Sequence, residues 1–124
     1  MLFLIKLFGG LIAPVFFSSL LYAKDPAPLV PNPLLIEKGR KLYVANCLRC
    51  HNKDPNIKGS IGPEIVDAPY EVMYSKVMTG KYPDSLPKGF IPKRKSRAMQ
   101  ALPRLKNDIP AIWAYVQSVK KKKK

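Results

Sequence analysis

Apolar residues fall into one unbroken run near the start of the chain and three later stretches with helical spacing. Residues 1 to 23 carry a single charge, Lys6, followed by the 17-residue apolar run from Leu7 to Ala23, and the chain turns polar at Lys24. That order predicts a secretory signal ending at Leu21-Tyr22-Ala23. The run also reaches the lower limit for a bilayer span, so an uncleaved anchor is the alternative. From 24 to 33, the prolines Pro26, Pro28, Pro31 and Pro33 predict an extended leader.

The first periodic stretch opens at Asn32, a suitable N-cap, with Pro33 at the first helical position. Leu35, Gly39, Leu42, Tyr43 and Asn46 recur on one face, so a helix is expected through Cys47. Gly39 is out of place, because glycine inside a helix costs about 1 kcal/mol relative to alanine. Close approach of another helix explains it. Residues 52 to 61, with Pro55 and Gly59, read as a loop. A second helix is expected from Pro69 to Thr79, capped by Asp67, ended by Gly80, and facing inward through Tyr70, Met73, Tyr74 and Val77. Lys81 to Ala98 is a basic loop broken by prolines. A third helix opens near Asn107 or Asp108, takes Pro110 in its first turn and runs to about Lys120. Ile109, Ile112, Trp113, Val116 and Val119 form its apolar stripe. No stretch alternates convincingly as a strand, so the chain reads as all-α, with one domain over residues 34 to 120 and a solvated lysine tail over 121 to 124.

Chemistry concentrates in one pentapeptide. The chain has two cysteines and one histidine, and all three lie in Cys47-Leu48-Arg49-Cys50-His51. C-x-x-C-H is the spacing of a c-type haem attachment site, where two thiols bond to the porphyrin vinyls and the histidine ligates iron. On a helix these three positions share one face, as a flat macrocycle needs. A redox dithiol calls for a βαβ pattern that is missing. Zinc calls for four ligands, and only three stand here. A disulfide across two residues closes too small a loop to stabilise much. Haem c, with its iron, is therefore the expected cofactor. The small core left after residue 23 implies an apoprotein that folds poorly.

Charge narrows the partners. Beyond residue 23 there are 21 Lys and Arg against 8 Asp and Glu, a net +13. An exported chain with no nucleic-acid motif points instead to an acidic protein partner or an anionic membrane surface. The second axial ligand is expected to be a methionine, because no other histidine exists and a thioether favours Fe(II). Met73 and Met78 lie in the expected second helix, where packing is the simpler role. Met99 lies in irregular chain and is the first choice, with Met78 in reserve. Gly62-Pro63 is open to two readings: the Pro63 carbonyl takes the His51 ring N–H, or the pair is an ordinary turn.

With these residues in view, the chain resembles the class I cytochrome c family over nearly all of 34 to 120. Besides the pentapeptide it has Gly39 and Tyr43, eight and four residues before the first cysteine, which in that family pack against an aromatic of the last helix. Ile112-Trp113-Ala114-Tyr115-Val116 occupies that place. Gly62-Pro63 falls where the family keeps the proline whose carbonyl holds the proximal histidine, and Met99 matches the methionine ligand. Gln100 follows Met99 where the family often has proline. The resemblance implies a small cytochrome c fold, with three main helices around one covalent haem held by Cys47 and Cys50. His51 and Met99 would be its axial ligands. It further implies a monomeric, non-enzymatic single-electron carrier, exported to the periplasm. Lys88, Lys93, Arg94, Lys95 and Arg97 would flank the haem edge and steer an acidic redox partner. A subunit tethered by residues 1 to 23 or docked on a larger oxidoreductase, and a haem protein with an open sixth position, are the alternatives.

Overall fold

A computed structural model describes residues 32–93 and 99–121, and within them the protein is all-helical. The expected signal, most of the proline-rich leader, Arg94, Lys95, Arg97 and Lys122 to Lys124 lie outside the described residues. Among the described residues no helix is long and apolar enough to cross a membrane.

Helix α1 spans Pro33–Asn46, α2 spans Tyr70–Thr79 and α3 spans Ile109–Ser118, with a 3₁₀ helix over Pro103–Asp108 leading into α3. Asn32 caps α1 as its side chain predicts: Oδ1 accepts the Leu35 N–H at 2.7 Å. Gly80 ends α2 in the left-handed region, φ 76°, where a side chain would be strained. It is also close-packed, since a Cβ there would strike the Met99 carbonyl.

The expected cap of α2 is a correction. Pro69 holds the cap position with no side-chain hydrogen bond. Asp67 instead pairs with Lys93 (3.7 Å) and Lys120 (3.1 Å). Two cations outcompeted the helix end. Helix α3 also closes earlier than about Lys120, with Val119 at its C-cap.

The fold is organised by α1 crossing α3. A Cβ on Gly39 would overlap the Ala111 carbonyl oxygen and come within 2.5 Å of its carbon and 3.0 Å of the Tyr115 Cβ. Only glycine lets the two backbones meet so closely. Beside this contact the Tyr43 and Tyr115 rings lie 5.4 Å apart at 54°. Tyr43 is wholly buried, and its hydroxyl donates to the Asn52 carbonyl at 2.6 Å. Burial raises its pKa, because the phenolate would lose hydration. Ile109, Ile112 and Val116 from α3, with Met73 and Val77 from α2, complete the core.

Lys121, the first residue of the expected tail, is fastened to the loop before α2. Asn56 Nδ2 donates to the Val119 carbonyl at 2.9 Å, and the Lys121 N–H donates to Asn56 Oδ1 at 3.2 Å. Lys121 Nζ meets Asp54 Oδ2 at 2.9 Å. Lys121 thus belongs to the folded unit.

Candidate functional site

The pentapeptide begins where α1 stops. Cys47 is the C-cap of α1, and both its N–H and that of Leu48 donate to the Tyr43 carbonyl. One further turn follows, in which the Cys50 and His51 N–H groups converge on the Cys47 carbonyl at 3.2 and 2.9 Å. The motif therefore sits on a turn past the helix end, not in the helix itself. The i, i+3, i+4 relation survives, because the His51 bond is helical in register.

Both thiols are free. They are not equivalent. Cys50 is exposed, whereas Cys47 is buried and its thiol is pushed up to about 11 from 9.0, by burial first and by Cys50 second. Its thiolate fraction at neutral pH falls about a hundredfold from the ordinary value.

His51 is held on three sides. Its Nδ1–H donates to the Pro63 carbonyl at 2.9 Å, the arrangement that the first of the two readings of Gly62-Pro63 required. A Cβ on Gly62 would come within 2.5 to 3.0 Å of three imidazole atoms, so this glycine lets the loop close against the ring. Gly59 does the same for the His51 backbone, where a Cβ would lie 2.6 Å from Cα. Burial lowers the His51 pKa; the Pro63 bond opposes this, and the charge of Lys76 adds to it. Burial thus favours the neutral imidazole, in which Nδ1 carries the proton and Nε2 is the acceptor nitrogen.

These groups open onto one cleft of about 300 Å³. Cys47, Cys50, His51, Pro63 and Met99 all line it, so the structure brings together all five residues singled out from the sequence. Ile65, Val72, Val77 and Ile112 make its walls largely apolar. Met73 also faces it, while Met78 packs against the core and is not among the lining residues. Met99 is set by its backbone: its N–H donates to the Gly80 carbonyl at 3.1 Å.

Several lining residues were not foreseen. Tyr82 and Phe90 come from the basic loop, their rings 6.1 Å apart. Lys93 lies at the cleft but is paired with Glu64 at 3.0 Å as well as with Asp67. Lys76 was overlooked, although its place three residues after Met73 and one before Val77 puts it on the inward stripe.

Chemically, the cleft offers two thiols, a neutral imidazole nitrogen and a thioether in apolar surroundings. Such a donor set would suit a flat apolar group that carries a metal ion. It does not suit a bare ion, and no cluster of three or more His, Cys, Asp or Glu able to hold one occurs among the described residues. Comparison with family models, curated proteins and solved structures finds no match to this chain.

Proposed function

We propose that the protein is an exported single-electron carrier of the class I cytochrome c type, with one haem c bound in the cleft described above. The observation that carries this reading is the convergence of Cys47, Cys50, His51 and Met99 on one apolar cleft, with the His51 ring already oriented by Pro63. When bound, haem supplies a one-electron couple on its iron.

The residues divide the remaining work. Cys47 and Cys50 would hold the group through thioether bonds, each sulfur adding to one vinyl carbon and the thiol hydrogen to the other, so that it could not dissociate. His51 offers Nε2 to the metal, and the Pro63 carbonyl fixes the tautomer and makes that nitrogen more basic. Met99 offers its thioether from a segment anchored at Gly80. The largely apolar walls would limit water around the group and so keep reorganisation on electron transfer small. An acidic redox protein is the proposed partner. Among the described members of the steering set, Lys88 and Lys93 are both exposed, and Lys93 is paired with Glu64 and Asp67.

The test is production of the full chain in a haem-loading host, followed by acid-acetone extraction and absorption spectra in both oxidation states. Haem that stays with the protein, and a sulfur-to-iron band lost in Met99→Leu, are expected. Alkylation supplies a second arm: in loaded protein neither Cys47 nor Cys50 reacts. A colourless product with both thiols alkylated refutes the reading. Carbon monoxide binding by the unmodified reduced protein replaces it with an open sixth position.

A further inference from the structure

Lys76 is a half-buried lysine of the cleft wall. It lies on the inward face of α2 and lines the cleft beside Met73 and Val77. Burial pulls its pKa below the ordinary 10.5, because the ammonium loses water there. A lysine on the outer face of α2 would avoid that cost, so the position calls for an explanation.

No ion pair explains it. Among the described residues Lys76 has no carboxylate partner; its partners are neutral. Nζ donates to the Gly80 carbonyl at 3.2 Å and lies 4.3 Å from the centre of the Tyr82 ring. The first contact matters most. The Gly80 oxygen that receives Lys76 also receives the Met99 N–H at 3.1 Å. One carbonyl thus links the cation to the segment bearing the thioether. Gly80 cannot retreat from this arrangement, because its Cα is packed against the Met99 carbonyl. Lys76 therefore has two effects at once: it pins the anchor of Met99, and it leaves an unneutralised positive charge beside a largely apolar cavity.

We propose that Lys76 is a positioning and tuning residue of the cleft, holding the Met99 anchor through the Gly80 carbonyl and favouring the reduced over the oxidised cofactor by its charge. This rests on the electron-carrier reading above. The step is one-electron reduction of ferric to ferrous iron, the electron coming from a redox protein partner. Reduction lowers the net charge of the bound group by one, so a fixed cation nearby stabilises the product. At an effective dielectric near 20, a unit charge roughly 12 Å from a redox centre changes the reduction equilibrium about tenfold. For one electron a tenfold change corresponds to about 59 mV.

The experiment uses the haem-loaded full chain and three variants. Lys76→Gln keeps a donor for the Gly80 carbonyl but no charge, Lys76→Met keeps neither, and Lys76→Arg keeps both. Midpoint potential is read by spectroelectrochemical titration, and ligation by the sulfur-to-iron band. Lys76→Gln is expected to lower the reduction equilibrium constant about tenfold with the band intact. Lys76→Met should lower it as far and weaken the band. Lys76→Arg should stay within about threefold of the parent. If Lys76→Gln does not accumulate, Lys76→Met carries the same expectation for the potential. Equal potentials in the parent and the neutral variants overturn the inference, as does an arginine variant that falls as far as the glutamine one. A parent chain without covalent haem overturns instead the reading on which the inference rests, and the two failures are told apart by the extraction spectrum.

Discussion

Gly39→Ala sets two forces of known size against each other. In an isolated helix the change is favourable, because alanine restrains the unfolded chain and has the better propensity, by about 1 kcal/mol. In this protein the new methyl would enter the Ala111 carbonyl oxygen and crowd its carbon at 2.5 Å. That obstacle is helix backbone and cannot rotate aside. Accommodation requires α1 and α3 to separate, loosening the packing of Tyr43, Ile112 and Val116, all nearly or fully buried. Overpacking of a core costs about 1 to 3 kcal/mol, and rigid backbone puts this site at the upper end. The difference leaves a net loss of about 2 kcal/mol. For a domain of this size that lowers the unfolding midpoint by roughly 8 to 16 °C. Thermal unfolding of the full chain, followed by far-ultraviolet circular dichroism, measures it, with Ala45→Gly on the exposed side of α1 as the control for propensity alone. An unchanged or higher midpoint in Gly39→Ala would refute the account of the crossing.

Two further expectations concern charge. Asp54 is held at about 2, below its ordinary 3.8, by hydrogen bonds from Asn56 first and by Lys121 next. A depressed carboxylate adds stability above its unfolded pKa and loses it as pH falls through the folded one, so stability should drop between about pH 4 and 2. Asp54→Asn should flatten that limb in unfolding titrations, and an equally steep limb in the variant would exclude the clamp as its source. For partner steering, neutralising Lys88, Arg94 and Lys95 should weaken the ionic-strength dependence of electron transfer to an acidic partner; an unaltered dependence rejects it.

The periodic features of the sequence translated directly into structure. Asn32 caps α1, Gly80 ends α2, and Ile109, Ile112 and Val116 of the third stripe are buried with Trp113 and Val119 half-buried, because each depends on residues within a turn or two of itself. Gly39 was legible as an anomaly and proves to be a point of close approach; Gly62 proves to be another, which the sequence did not mark. What escaped depends on distant partners. Asp67 looked like a cap until Lys93 and Lys120 came within reach, and Lys121 looked solvated until Asp54 and Asn56 did. The 3₁₀ helix has no apolar period that could announce it. Lys76 was hidden by its residue type, although its spacing placed it inward.

The crossing of α1 with α3 joins the earliest and latest helices of the folded unit, so its closure spans nearly the whole domain. Loop-closure entropy makes such an encounter late relative to local turns. During synthesis the ribosome must therefore release almost all of the chain before the core can shut. Until then the segment bearing Cys47 and Cys50 lacks its walls, and the Cys47 sulfur, buried in the folded unit, is as open to solvent as that of Cys50.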